Sequence, residues 1–293
     1  MKPETRKLRA PFPYFGGKSL AASLIWSRLG NVKSYVEPFA GSLAVLLARP
    51  HEPTIEIVND KDAYLTNFWR AIKHKPDSVA DWADWPINEV DLLARYQWLV
   101  TDGAARVEKL KDDPDYYDPK VAGWWVWGIS QWIGSGWLEK PRRPNKKLPR
   151  IAGLGNGIHR SSNGDLRDYL QSLSDRLRHV RVTCGDWLRV TKIYEKNTVT
   201  GFLLDPPYSD KAERQSALYR VDDLDVAHQV REWAIANGNN PKVRIALCGY
   251  ETEHQMPDDW ECVAWKAGRG YAKNNNRLKE RIWFSPHCLK SEF

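Results

Sequence analysis

The residues best suited to chemistry are Asp205, Pro206, Pro207 and Tyr208, which directly follow the apolar run from Gly201 to Leu204. Proline has no backbone N–H to continue a hydrogen-bond ladder, so two consecutive prolines end a buried strand and fix a rigid turn. That turn presents one carboxylate and one aromatic ring at the end of the strand. A purely structural turn is the alternative, but the combination of an acid and an aromatic ring favours a functional one.

Three earlier motifs have the same character. Residues 11–18 end in Gly16-Gly17-Lys18, and residues 35–42 read as a strand that runs into a glycine turn and a helix. Glycine lets a ligand approach the backbone closely, and a helix N-terminus favours a negative group. Asn59-Asp60 stands at the end of the next strand, and an acid there, about 20 residues after the glycine turn, is where α/β nucleotide sites hold ribose hydroxyls. A helix cap is the alternative role for Asp60.

The elements that position these motifs alternate between strand and helix. β-branched alternation predicts strands, and apolar spacing of three and four predicts helices. The predicted strands are 34–38, 54–59, 180–184, 200–204 and 243–247, with a hairpin of 262–266 and 281–284. The predicted helices are 19–29, 43–49, 63–74 and 223–237, with helical patches near 88–110, 121–133 and 165–178. This alternation is typical of a parallel α/β sheet, whose carboxyl edge would gather the motifs.

The sequence predicts two domains. Residues 1–74 and 179–293 carry the α/β pattern and the motifs, so they form a discontinuous catalytic domain. Residues 75–178 read as a mostly helical insertion rich in tryptophan, proline and charge. Eight of the 15 tryptophans fall in this insertion, and buried packing is a more common role for such residues than base stacking.

Charge and cysteine content narrow the class of protein. The net charge is +7, and residues 119–163 alone hold eight basic residues against Glu139, while 76–118 hold four basic and 11 acidic residues. A second basic run lies at 266–281. Two basic islands fit a polyanionic partner, although solvated loops explain them equally well.

Four widely spaced cysteines without a Cys-x-x-Cys pair argue against zinc and disulfides, and favour a reducing cytoplasm. The charged residues 1–10 do not resemble a signal peptide, and no run is long enough to span a membrane.

Taken in order, the motifs resemble those of the Dam-type DNA adenine-N6 methyltransferases of the alpha arrangement. The sequence from Thr183 to Trp187 also matches the short acidic and aromatic element of that family. The resemblance covers about residues 11–74 and 180–284, and Leu43 stands where the family often has a second glycine. It implies S-adenosylmethionine as cofactor and DNA adenine as substrate. It also implies a Rossmann-like sheet of seven strands, mostly parallel with one antiparallel strand, and an inserted target-recognition domain.

The resemblance also implies roles for individual residues. Asp60 would hold the cofactor ribose, Asp186 its adenine amino group, and Trp187 would lie beside the adenine ring. Asp205, Pro206 and Tyr208 would hold a flipped target base; if Tyr208 only stacks, phenylalanine should replace it. The residues implied near the methionine end of the cofactor, or elsewhere in its pocket, are Tyr14, Gly17, Lys18, Glu37, Phe39 and Gly41.

The expected partner is double-stranded DNA, with no membrane and no metal. The DNA-binding candidates are the basic residues of the insertion: Arg142, Arg143, Lys146, Lys147, Arg150 and Arg160. We expect a monomeric, stand-alone methylase of the restriction–modification type, in a bacterial cytoplasm or that of a phage host. The alternatives are a cytosine-N4 or RNA amino methyltransferase, because an Asp-Pro-Pro-Tyr site can act on any exocyclic amine, and a catalytically silent DNA-binding relative.

Overall fold

Two compact units make up the chain in a computed structural model. The structure describes residues 8–14, 16–113, 115–133, 137–138, 150–151, 157–162, 164–192, 198–208, 225–265 and 278–290. The helical unit comprises Met1–Gly17, Gly41–Ala48 and Ala63–Arg178. The sheet unit comprises Lys18–Ala40, Arg49–Asp62 and His179–Phe293.

The strands, in chain order, are β1 (Ser34–Glu37), β2 (Ile55–Asp60), β3 (Trp132–Ile133), β4 (Arg150–Ile151), β5 (Arg181–Cys184), β6 (Thr200–Leu204), β7 (Val243–Tyr250), β8 (Glu261–Ala264) and β9 (Glu280–Phe284). The helices are α1 (Ala22–Leu29), α2 (Ala44–Leu47), α3 (Ala63–His74), α4 (Pro76–Ala83), α5 (Glu89–Trp98), α6 (Ala104–Glu108), α7 (Pro119–Gln131), α8 (Gly157–Ser162), α9 (Leu166–Leu177), α10 (Leu188–Thr191) and α11 (Val226–Gly238).

The sheet unit holds a seven-stranded sheet in the order β5-β2-β1-β6-β7-β9-β8. The first five strands are parallel, and β9 runs antiparallel to both of its neighbours. The strand order reverses between β1 and β6, and ligands of open α/β sheets bind beyond the carboxyl ends of the strands at such a point. The prediction of a mostly parallel Rossmann-like sheet with one antiparallel strand is confirmed.

Apolar side chains of adjacent strands hold this sheet together. Val36, Phe202 and Ile245 lie on three neighbouring strands and are all fully buried. All five residues of β6 are buried, as expected for a central parallel strand covered on both faces. The backbone that carries the side chains at the carboxyl end of β6 is therefore rigid.

The helical unit has an aromatic interior. Phe12 lies 4.9 Å from Trp125 of α7 and 5.5 Å from Phe68 of α3, measured between ring centroids. Trp125, Trp127 and Trp132 are buried, which confirms the packing role predicted for them. Trp82 and Trp85 differ, since 39% and 46% of their surface is exposed.

Several boundaries differ from the sequence prediction. Helix α4 was not predicted, because its polar side chains mask its periodicity, and the predicted 88–110 helix is interrupted by a π-helical turn at Leu99–Gly103. Helix α3, predicted as part of the catalytic domain, belongs to the helical unit, where it packs against α7 and α9. In the described part of the chain, no helix is long and apolar enough to cross a membrane.

The turn before α2 explains the departure at Leu43. Leu43 is fully buried and has a φ of 56°, in the left-handed region that glycine adopts without strain. The leucine at this position strains the backbone, but its side chain contributes buried apolar surface. The predicted helix 43–49 is shortened to α2 for the same reason, because a left-handed residue cannot continue a right-handed helix.

Candidate active site

Asp205 forms a buried ion pair at the carboxyl end of β6. The Lys18 ammonium lies 2.7 Å from Asp205 Oδ1 and 2.8 Å from Oδ2, so it holds both carboxylate oxygens. The Lys18 side chain is only 3% exposed, whereas that of Asp205 is 20% exposed. The carboxylate is therefore the part of the pair that solvent, or a substrate, reaches.

The Tyr208 hydroxyl extends this pair into a chain of polar groups. It accepts a hydrogen bond from Lys18 Nζ at 3.2 Å and donates one to Glu280 Oε2 at 2.7 Å. The Tyr208 ring meets Tyr250 edge-on, with centroids 4.6 Å apart. Tyr208 and Glu280 are each 5% exposed. We call Lys18, Asp205, Tyr208 and Glu280 the polar chain of the site.

Electrostatics fix the protonation of two members of this chain. Burial alone would lower the pKa of Lys18, but the carboxylates around it, first Asp205 and then Glu280, raise it above its ordinary value. Burial raises the pKa of Tyr208 as well, and the nearby Glu280 carboxylate adds to the effect. Lys18 is therefore charged and the Tyr208 hydroxyl protonated at neutral pH, as the observed donor directions require.

At the same carboxyl edge of the sheet, Asn59 links several segments through side-chain hydrogen bonds. Its side-chain amide donates to the carbonyl oxygens of Pro38 at 3.1 Å and Gly185 at 3.0 Å, and its Oδ1 accepts from Thr183 at 2.9 Å. Asn59 is 2% exposed. One side chain thus links the turns after β1 and β5 to the end of β2.

Strand register places the predicted cofactor acids beside each other. Asp60 pairs with Cys184 across β2 and β5, and Asp186 comes two residues later. Asp60 Oδ1 accepts the backbone N–H of Asp62, and Asp186 Oδ1 accepts that of Leu188, each at 2.9 Å. Both carboxylates therefore lie at one edge, oriented by short turns.

The aromatic candidates Phe39 and Trp187 pack against each other in the sheet unit. Phe39 is partly buried and its ring centroid is 6.0 Å from that of Trp187. Trp187 is 4% exposed, belongs to the sheet core, and its indole nitrogen has no hydrogen-bond partner within the described chain. Glu37, at the end of β1, is also buried and accepts a 2.6 Å hydrogen bond from Tyr35.

Other predicted cofactor residues belong to the helical unit. There the Gly17 N–H donates to the Tyr14 carbonyl at 3.0 Å, and a side chain on Gly41 would lie 2.8 Å from the Tyr14 ring. Gly41 has a φ of 47°, so the turn needs glycine on both grounds. The cofactor roles of Tyr14, Gly17 and Gly41 stay predictions.

Two similarities to known proteins bear on this site. Residues 14–97 match the family model of the D12 class N6 adenine-specific DNA methyltransferases. The chain is also 28% identical to the type II methyltransferase M.MjaIII of Methanocaldococcus jannaschii over 235 residues, 74% of this chain and 75% of that protein. The matched range of the family model contains Lys18 and the ends of β1 and β2.

Both similarities support an adenine-N6 DNA methyltransferase family for this chain. This confirms the resemblance drawn from the motifs. The two similarities indicate an enzyme, a DNA adenine methyltransferase, and a family of this kind implies a methyl donor.

The DNA-binding candidates of this methyltransferase are largely outside the described residues. Arg142, Arg143, Lys146 and Lys147 fall there, as does most of the basic run at 266–281. Arg150 belongs to β4, and Arg160 is exposed on α8. Their contacts with DNA stay predictions.

Sequence reasoning missed three residues of the site. Glu280 and Tyr250 pair across β7 and β9 and both contact Tyr208. Asn59 was noticed only as the neighbour of Asp60. A polar residue in an apolar strand was the available signal for Asn59, since a buried polar group requires a partner. Glu280 gave no such signal, because it is the first residue of β9 and stands between Lys279 and Arg281. Within the described chain, no group of three or more His, Cys, Asp or Glu residues could hold a metal ion.

Proposed function

We propose that the chain transfers a methyl group from S-adenosylmethionine to the N6 amino group of adenine in double-stranded DNA. The observation that supports this most is the Asp205 carboxylate, held by Lys18 at the end of β6 and more exposed than its partner. The groups at this point suit a substrate amine, because the Asp205 carboxylate and the Pro206 carbonyl are hydrogen-bond acceptors.

Asp205 would bind the amine rather than remove its proton first. An ionised carboxylate can accept about four hydrogen bonds, and Lys18 uses one on each oxygen. One of the remaining positions can accept an N–H of the target amine, and the backbone carbonyl of Pro206 can accept the other. Two acceptors favour a pyramidal nitrogen with its lone pair directed away from them. Positioning of this kind can supply about 7–11 kcal/mol of a barrier.

The target base must leave the duplex to reach these acceptors. Extruding a base costs a few kcal/mol, which an aromatic contact and new hydrogen bonds offset. We assign the aromatic contact to Tyr208, which is held next to Asp205 by the rigid Pro206-Pro207 turn. Its hydroxyl bonds to Lys18 and Glu280 leave stacking to the ring.

The acids beyond β2 and β5 fit S-adenosylmethionine by their chemistry. Asp60 can accept from ribose hydroxyls and Asp186 from an adenine amino group, while Phe39 offers a partly buried aromatic ring. Asn59 holds the turns that carry these groups. When bound, S-adenosylmethionine supplies the electrophilic methyl group, so the protein needs to supply only binding and orientation.

Double-stranded DNA is the proposed partner, bound by a monomer through the basic segment 140–150. Neutralising Arg142, Arg143, Lys146 and Lys147 should weaken binding and flatten the dependence of log K on log salt by about 0.9 for each lost phosphate contact. A parent-like salt slope in this quadruple variant would move the DNA-binding surface elsewhere.

The type II name of the archaeal relative suggests the biological setting. We propose that the chain is the stand-alone methylase of a restriction–modification pair, protecting sites that a separate nuclease cuts. DNA from cells that express the chain should then resist one restriction enzyme whose site contains the methylated adenine.

Product analysis tests the proposal. Purified enzyme, duplex DNA and methyl-labelled S-adenosylmethionine should give N6-methyladenine on nucleoside mass spectrometry, and the Asp205→Asn variant should not. Label in N4-methylcytosine, label only when RNA is the substrate, or no label with DNA would each contradict the proposal.

A further inference from the structure

Glu280 is the one member of the polar chain for which neither the motifs nor the comparisons suggest a role. It is the first residue of β9, directly opposite Tyr250 of β7, and it is 5% exposed. Burial raises its pKa, while the positive charge of Lys18 and the hydrogen bond from Tyr208 oppose that rise. Burying a carboxylate is costly unless it is paired, so this position needs an explanation.

The contacts of Glu280 show what it controls. Its Oε2 accepts the Tyr208 hydroxyl at 2.7 Å, and Lys18 approaches the same hydroxyl from another direction at 3.2 Å. The Tyr250 ring meets the Tyr208 ring at an angle of 70°. Two hydrogen bonds at its tip and one ring at its side leave the Tyr208 ring a single orientation.

The same bonds reach Asp205. Lys18 divides its three N–H donors between the two oxygens of Asp205 and the Tyr208 hydroxyl. A hydroxyl that donates its hydrogen to Glu280 must present a lone pair to Lys18. Glu280 therefore sets the direction of the Tyr208 hydroxyl, and the hydroxyl in turn helps to aim the ammonium at Asp205.

We propose that Glu280 is a positioning residue for methyl transfer. It fixes the Tyr208 ring that receives the target base and, through the Tyr208 hydroxyl, the ammonium that orients Asp205. This inference rests on the proposed function of Asp205 and Tyr208. It reverses the expectation that phenylalanine can replace Tyr208, because the hydroxyl is bonded to two buried charged groups.

A double-mutant cycle tests the coupling. The variants are Glu280→Leu, Tyr208→Phe, their combination, and Glu280→Gln, which keeps an acceptor oxygen. Turnover is measured at saturating S-adenosylmethionine and DNA, per molecule of enzyme able to bind S-adenosylmethionine, so loss of folded protein does not enter the comparison. Glu261→Gln is the matched control, since Glu261 lies on the neighbouring strand β8 and pairs with Arg28 outside the polar chain.

Glu280→Leu and Tyr208→Phe should each lower kcat about 10- to 100-fold, the worth of a hydrogen bond to a charged group. The combination should be no worse than the poorer single variant, because both remove the same bond. Glu280→Gln should restore most of the activity, and the affinity for S-adenosylmethionine should not change. Glu261→Gln should behave like the parent.

Three results would overturn the inference. They are a Glu280→Leu enzyme with parental kcat, losses that multiply in the combined variant, and an effect on S-adenosylmethionine affinity alone. If Glu280→Leu does not fold, Tyr208→Phe decides, because it removes the same hydrogen bond and should still lower kcat about 10- to 100-fold. A Tyr208→Phe enzyme with parental kcat would then overturn the inference. A parent that transfers no methyl group to DNA would instead refute the proposed function.

Discussion

The two units of this protein differ in how deeply their ion pairs are buried. Lys18 pairs with Asp205 at the carboxyl edge of the sheet unit, and their side chains are 3% and 20% exposed. In the helical unit Arg167 pairs with Asp81, and more than half of each side chain is exposed. The buried interior there is aromatic.

This difference separates chemistry from packing. Breaking a buried ion pair costs about 3–5 kcal/mol, because it leaves an uncompensated buried charge. Several cations of the helical unit lie on tryptophan faces: Lys120 is 4.4 Å from the Trp124 ring centroid, and Arg95 is 4.4 Å from that of Trp127. Substitutions in the polar chain should therefore change activity, whereas those at helix caps and buried packing positions should change stability.

The largest expected effect is at Asp205. Asp205→Ala and Asp205→Asn should lower methyl transfer at least about 1,000-fold, because each removes a preorganised charge at the reacting amine. S-adenosylmethionine binding, measured by calorimetry, should be retained. Asp205→Ala should also lower the melting temperature more than Asp205→Asn does, since it leaves the buried Lys18 without a polar neighbour at that position. An active variant, or one that has lost cofactor affinity, would refute the assignment.

The next largest effect is on the pH dependence of stability, which should differ between a histidine of the sheet unit and a histidine of the helical unit. Burial lowers the pKa of His254 to about 4, although its bond to the Cys248 carbonyl opposes the shift and Arg231 and His228 add to it. Between pH about 6.5 and 4, only the unfolded chain gains this proton, so stability falls as the pH falls. The loss should reach about 3 kcal/mol at the lower end of that window.

Urea unfolding of the parent and His254→Gln at pH 7.5 and 5 measures this effect. The variant should lose less stability on acidification than the parent. In the helical unit, burial also lowers the pKa of His159, but Asp84 opposes the shift, so His159→Gln should alter the pH dependence less. Equal pH dependence in the parent and His254→Gln would show that His254 does not carry the acid sensitivity.

A matched pair of aspartates compares the units directly. Asp60 and Asp165 each accept a backbone N–H at 2.9 Å. Asp60→Ala should raise the dissociation constant for S-adenosylmethionine about 10- to 100-fold, through the loss of a charge-assisted hydrogen bond. Asp165→Ala should leave binding unchanged and cost about 1 kcal/mol of stability as a lost helix cap. If Asp60→Ala binds S-adenosylmethionine as tightly as the parent does, the proposed pocket is in the wrong place.

The smallest effect concerns helix packing. A side chain on Gly123 of α7 would overlap Trp82 and lie 2.8 Å from the Val79 carbonyl oxygen, whereas one on Gly103 would meet only the Leu99 side chain at 3.3 Å and more distant atoms. Gly123→Ala should lose about 1–2 kcal/mol, because overpacking outweighs the gain in helix propensity. Gly103→Ala should be near neutral by thermal unfolding, and activity per folded molecule should not change in either variant.

Much of the fold follows from the sequence. Each strand of the sheet was predicted within three residues at its ends, because buried parallel strands are short apolar runs bounded by turn residues. The Asp-Pro-Pro-Tyr turn was assigned to a strand end because proline cannot continue the ladder. Helix α4 and the interruption of 88–110 were missed, since neither leaves a clear periodic signal.

The composition of the site was also predictable, but its internal bonding was not. The sequence by itself predicted Lys18, Asp60, Asp186 and Asp205 as site residues, because each stands at a turn where a side chain can reach a ligand. Only the tertiary structure decided that Lys18 bonds Asp205 and that Glu280 accepts the Tyr208 hydroxyl. Those partners are 187 and 72 residues apart, and strand order and register, which local sequence does not encode, bring them within hydrogen-bond distance.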